Sequence, residues 1–110
     1  MQVFTVMPRV LVDNKASASH TVIEVNGRDR PGLLYELTRE LTRLNLQISS
    51  AKISTYGEKV VDVFYVKNLF GHKVEQPAKL SEIQRSLEAV LVKRSAEAMP
   101  ESSQGRVAAE

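Results

Sequence analysis

The amino-acid sequence predicts an α+β sandwich, a four-stranded antiparallel sheet carrying two helices on one face. Apolar residues recur at helical spacing in two stretches, Leu34 to Leu44 and Leu80 to Leu91. Four strand-like runs lie outside these stretches, separated by small and turn-forming residues. The order along the chain is β, β, α, β, β, α, with no internal repeat.

Met1 to Val12 is rich in β-formers: VFTV, then Pro8, then RVLVDN, in which Val10 and Val12 alternate with Leu11. Asp13 to Ser19 (DNKASAS) is small and turn-like. His20 to Asn26 (HTVIEVN) is a strand by its β-branched content, close enough to the first to pair with it as a long-looped hairpin. From Pro31 the period changes. Leu34, Leu37, Leu41 and Leu44 fall at i, i+3, i+7 and i+10, Leu33 widens the stripe, and Glu36, Arg39, Glu40 and Arg43 take the other side. A buried leucine contributes roughly 1.5–3 kcal/mol, against a few tenths of a kcal/mol per residue from helix propensity. Packing therefore decides this helix. Asn45 suits the left-handed position just past its end.

Leu46 to Thr55 (LQISSAKIST) reads as a strand, and Tyr56 to Lys59 (YGEK) as a glycine-containing hairpin turn. Val60 to Val66 (VVDVFYV) is the strongest strand, apolar on both parities except at Asp62, as a central strand should be. Lys67 to Pro77 is a connector. The second helix sets Leu80, Ile83, Leu87, Val90 and Leu91 on one face and is expected to end near Lys93. Ser95 to Glu110 has no period and reads as a disordered tail. The expected division is 1–19 as a strand and loop completing the sheet, 20–94 as the domain proper, and 95–110 as the tail.

The 110 residues suffice for one domain with one modest core. Fifteen Lys and Arg stand against thirteen Asp and Glu, a net charge of only +2 that calls for neither nucleic acid nor membrane as a partner. No apolar run approaches the ~18 residues of a membrane span, and no signal peptide is recognisable. The absence of cysteine excludes disulfides and thiolate metal sites and is compatible with a cytoplasmic location. His20 and His72 have no spaced acidic or cysteine partner, so no metal is expected. The serines and threonines near Tyr56 have no adjacent base, so nucleophilic catalysis has no support, and no catalytic site and no cofactor is expected in this chain.

From His20 to Lys93 the order βαββα is that of a ferredoxin-like fold lacking its last strand. Arg9 to Asp13 can fill that place at the sheet edge. With the strand, GRDRPGLL, the helix and the hairpin STYGEKVVDVFYVKN in view, the segment from about His20 to Leu91 resembles ACT domains, small regulatory modules that commonly bind amino acids. D-R-P-G-L-L (Asp29 to Leu34) is its most specific element. Within that family the chain is most similar to the C-terminal ACT domain of bifunctional uridylyltransferase/uridylyl-removing enzymes, which modify the PII nitrogen-signalling protein. The resemblance implies a glutamine-sensing regulatory domain. It also implies a tandem or symmetric ACT partner, and nucleotidyltransferase and phosphohydrolase domains upstream.

The turn Gly27 to Gly32 has two readings. As punctuation, Asp29 caps the helix, Pro31 occupies its first position, and Gly27 and Gly32 allow the bends. As a site, the helix N-terminus suits an anion, and Gly32 leaves the amides of Gly32, Leu33 and Leu34 open to a ligand carboxylate. Asn26 then offers an amide to the ligand, and Asp29 a carboxylate to its ammonium. Arg28 and Arg30 suit phosphate or carboxylate, or solvent, or another domain. Gln47, Ile48, Ser49 and Ser50, expected beside the turn, would line the ligand's side chain or serve as filler. The family resemblance favours the ligand reading. A rival reading is an interaction or dimerisation module that uses Phe64 or Tyr65 on an open sheet face. Asp62 is read as a hydrogen-bonded strand residue in preference to an interface one.

Overall fold

The computed structural model describes residues 7–97. The VFTV run and residues 98–110 of the expected tail lie outside them. Six elements follow one another: β1 (Arg9–Asp13), β2 (Thr21–Arg28), α1 (Leu33–Arg43), β3 (Leu46–Tyr56), β4 (Lys59–Asn68) and α2 (Pro77–Glu97). The strands form one antiparallel sheet in the order β1-β2-β4-β3. This is the ferredoxin-like arrangement expected, with β1 at the edge beside β2. Helix α2 runs to Glu97, past the end expected near Lys93, so Ser95–Glu97 are helical rather than tail.

Side-chain alternation divides the sheet. In β4, Val60, Asp62, Phe64 and Val66 are buried on the helix side, while Val61, Val63, Tyr65 and Lys67 are half-buried on the open side. In β2, Ile23 and Val25 lie fully within the core. Phe64 is also fully buried there, so it is not available on the open face, where only Tyr65 of the two aromatics stands. From α1 the core takes Leu33, Leu37, Leu41 and Leu44; from α2 it takes Ile83, Leu87 and Leu91. The predicted stripe thus differs at one residue. Leu33 joins the core, whereas Leu34, counted there from its spacing, is 43% exposed.

Helix α1 ends as expected. Leu44 donates its N–H to the Glu40 carbonyl at 3.0 Å, and Asn45 follows with φ +64°. Gly27 is different from its prediction. It lies inside β2 opposite Val60, and a Cβ there would meet Leu91 Cδ2 at 3.1 Å. Its smallness admits α2 against the sheet; it makes no bend.

Two features aim the end of β3. The hairpin to β4 closes through Gly57 (φ +62°) and Glu58, with Tyr56 opposite Lys59. A bulge between Ile48 and Ser50 leaves Ser49 as an extra residue. Before the bulge, Leu46 and Ile48 pair with Asn68 and Val66; after it, Ile53 and Thr55 pair with Asp62 and Val60. The extra residue switches parity, so Ile53 and Thr55 come to the helix side.

Candidate functional site

The chain between β2 and α1 makes a β-turn before the helix begins. Leu33 donates its N–H to the Arg30 carbonyl at 3.3 Å, and Gly32 has φ +83° and ψ −6°. With Pro31 at the second position and Gly32 at the third, this is a type II turn. Gly32 is the N-cap, and Glu36 donates to its carbonyl at 3.0 Å. Pro31 is therefore a turn residue and not the first helical residue. The Leu33 amide, expected open, is already used. A Cβ on Gly32 would meet nothing within 4 Å. Glycine is required here by the positive φ rather than by a need for room.

No side chain caps α1, so Asp29 does not cap it. The first-turn N–H groups of Leu34 and Tyr35 then have no intrahelical acceptor and carry the positive end of the helix dipole. Asp29 instead ties the turn to the β3–β4 hairpin through its backbone, donating its N–H to the Glu58 carbonyl at 2.7 Å. Arg28 and Glu58 form an exposed ion pair across the same junction at 3.1 Å.

A hollow of about 280 Å³ opens at this junction, just under the ~300–1,000 Å³ of sites for drug-sized ligands. The turn contributes Asp29, Arg30 and Gly32; α1 contributes Leu33, Leu34 and Tyr35; the strands contribute Ile53, Thr55, Val60 and Asp62. Asp62 is only 2% exposed. Its Oδ1 has no hydrogen-bond partner. Burial, and then the charge of Asp29, push its carboxyl above the ordinary aspartate range, and a hydrogen bond from the Ser54 backbone works against them.

Of the residues expected to bind a ligand, Asp29, Arg30, Gly32, Leu33 and Leu34 come together here, with Pro31 in the turn beside them. Asn26 does not join them. Because β2 extends to Arg28, Asn26 lies within the strand on the open face, where its amide donates to Glu24 Oε2 at 2.9 Å. Gln47, Ile48 and Ser49 do not join them either. Helix α1 carries the chain about 16 Å to the far end of the sheet. Strand β3 begins there, beside Asn68, whose carbonyl accepts from Gln47 Nε2 at 3.0 Å. It is the other end of β3, roughly 20 Å along, that returns to the turn. Tyr35, Ile53, Thr55, Val60 and Asp62, which also line the hollow, were not among the residues expected there. The two-residue turn at Gly57–Glu58 already implied that Ile53 faces Asp62.

A larger hollow, about 780 Å³, lies at that far end between Asn45, Asn68–Phe70 and His72–Gln76. Of its polar groups, Asn68 Oδ1 is committed locally, accepting from the N–H groups of Phe70 and His72 at 2.9 and 3.0 Å. No buried charge stands open in its wall among the described residues, so its size does not outrank the smaller hollow. His20, the other histidine, sets its ring edge-on to Tyr65 at 6.3 Å. No helix among the described residues is long and apolar enough to cross a membrane.

Residues 16–94 match the family model described as the ACR family N-terminal ACT domain. The chain is 71% identical over 86 residues to a bifunctional uridylyltransferase/uridylyl-removing enzyme of Azospirillum brasilense, a match covering 78% of this chain and 9% of that protein. The enzyme of the same name from Rhodospirillum rubrum is 63% identical over 87 residues, covering 79% and 9%. The one from Gluconobacter oxydans is 55% identical over 91 residues, covering 83% and 10%. The chain thus spans about a tenth of the length of these relatives. A crystal structure of an unknown protein from Galdieria sulphuraria shares the fold, with a TM-score of 0.52 and 23% identity over 66% of this chain and 39% of that one. By its sequence match over residues 16–94, the chain belongs to the ACT-domain family.

Proposed function

We propose that this domain is the amino-acid-sensing regulatory part of a longer enzyme that attaches and removes uridylyl groups, with L-glutamine as the ligand and the PII signal protein as the enzyme's substrate. The relatives' names support the enzyme class. The observation that carries ligand binding is the hollow, where uncapped N–H groups of α1 and a buried carboxylate with one open oxygen stand in a single wall. An α-amino acid is a zwitterion, and this wall offers a complement to each of its charges. Occupancy would be passed on through the turn, which is tied to both α1 and the β3–β4 hairpin, to catalytic domains elsewhere in the parent enzyme. A tandem ACT partner belongs to the same reading.

A titration of the full 110-residue chain with L-glutamine, followed by amide NMR, tests it. The expected result is a saturable shift of peaks from Asp29 to Tyr35 and from Ile53 to Asp62. No shift at millimolar glutamine, from a folded chain, sinks the reading. It leaves the interaction module in its place. That second reading has its own support: Leu69 and Phe70 are 60% and 85% exposed on a loop held in shape by Asn68.

A further inference from the structure

Only two polar side chains are deeply buried among the described residues, Thr21 and Asp62. Thr21 is fully hydrogen-bonded. Asp62 is not, and its open oxygen lies in the wall of a hollow. A buried carboxylate oxygen without a donor is costly, because it has given up water and received nothing in return. Nothing in the packing of β4 requires that charge: its neighbours on the same face are Val60 and Phe64, and an apolar residue would suit them as well. The helix-side positions of its strand partners are Val25 and Ile53, which have no side-chain donor. The second acidic group at the hollow, Asp29, adds negative potential rather than relieving it. Arg30, the cation in the same wall, donates to the Pro31 carbonyl at 3.5 Å and gives Asp62 Oδ1 no hydrogen bond, so the missing partner of Asp62 is a donor that enters from outside, and a cationic one suits its charge best.

We propose that Asp62 is the residue that recognises the ammonium group of the ligand: an α-amino acid seats its carboxylate on the N–H groups of Leu34 and Tyr35 and its α-ammonium on Asp62 Oδ1, with Asp29 at the rim. This rests on the amino-acid reading of the hollow and deepens it, since it assigns the selectivity for amino acids over plain carboxylic acids to one residue of β4. The hollow distinguishes an amino acid from a carboxylate by leaving a buried charge unpaired when the ammonium is absent. Sites that hold a polar group in wait reject ligands lacking its partner far more strongly than apolar sites reject a misfit.

The test uses two probes on the full 110-residue chain, L-glutamine and glutaramate, which has the same side-chain amide and carboxylate but no α-amino group. Calorimetry gives both dissociation constants, for the wild type and for Asp62→Asn. The wild type is expected to prefer glutamine by about tenfold or more, the scale of a charge-assisted hydrogen bond. Asp62→Asn is expected to weaken glutamine by a similar factor, bind glutaramate no more weakly than the wild type does, and melt no lower than the wild type. Equal binding of the two probes by the wild type overturns the proposal without recourse to any variant. Unchanged glutamine affinity in a folded Asp62→Asn overturns it while leaving the amino-acid site intact. A wild type that binds neither probe overturns both the assignment of Asp62 and the reading on which it rests.

Discussion

Thr21 and Asp62 are the two buried polar side chains of the described fold, at 0% and 2% exposure, and they are held in opposite ways. The Thr21 hydroxyl donates to Asn14 Oδ1 at 2.7 Å and accepts the Val74 N–H at 2.9 Å. Asn14 reaches back to the Val74 carbonyl, and Lys73 Nζ donates to the Asn14 carbonyl at 2.7 Å. A closed set of bonds thus joins the β1–β2 loop to the segment that precedes α2. Toward the other end of the sheet, Asp62 keeps one oxygen without a donor. Buried polar groups that hold a fold together are satisfied, because an orphan costs more than a bond gains. The orphan marks a place where folding was not the only requirement.

The largest effect is expected at the satisfied end. Thr21→Val keeps the shape and removes the hydroxyl, which strands the Val74 N–H and the Asn14 oxygen. Urea unfolding should show a loss of about 1–3 kcal/mol. A loss under about 0.5 kcal/mol would mean that water replaces the hydroxyl, and the contrast with Asp62 would lose its structural half.

Next in size is Gly32→Ala at the other end. With φ at +83° and open space around the position, the cost is conformational alone, about 1–2 kcal/mol. The ratio of the glutamine and glutaramate affinities should not move, because the turn's glycine serves the backbone and not the ligand's ammonium. A changed ratio at unchanged stability would transfer the selectivity from Asp62 to the turn.

These positions also divide what was legible in the sequence from what was not. The six elements and their order were legible, because period 3.6 and β-branched runs are local properties. The β1 edge position followed from topology. The details of the turn were not. Pro31-Gly32 fits a helix start and a type II turn equally well, and only the observed hydrogen bond from Leu33 to Arg30 decides between them. Asn26 was misplaced because β2 continues through Gly27 and Arg28, which puts its side chain on the open face. Gln47 to Ser49 were misplaced by the length of α1. Asp62 could not be sided from VVDVFYV, since a run apolar on both parities does not reveal which parity meets the helices. The helices themselves had to be present before its burial, and its open oxygen, could be seen.

The smallest effect expected is a pH dependence with a definite sign. Asp62 has its carboxyl raised above the ordinary value of 3.8, by burial first and by Asp29 second, against a hydrogen bond from the Ser54 backbone. The charged or titratable groups around it at the hollow are Asp29 and Arg30 from the turn and Tyr35 from α1, with none from Ile53 or Thr55 of β3. Folding therefore favours its protonated form. Its contribution to stability is full below the ordinary aspartate value and is lost as pH rises through the raised one. Asp62→Asn has no charge to gain. The melting temperature of the variant minus that of the wild type should grow as pH rises from the acid limit, then level off once Asp62 is ionised in the folded chain. Saturating glutamine should reduce that difference, because a bound ammonium favours the ionised carboxylate and only the wild type offers one. A difference that is flat with pH would mean that Asp62 has found a partner, and the asymmetry between the two buried polar groups would vanish with it.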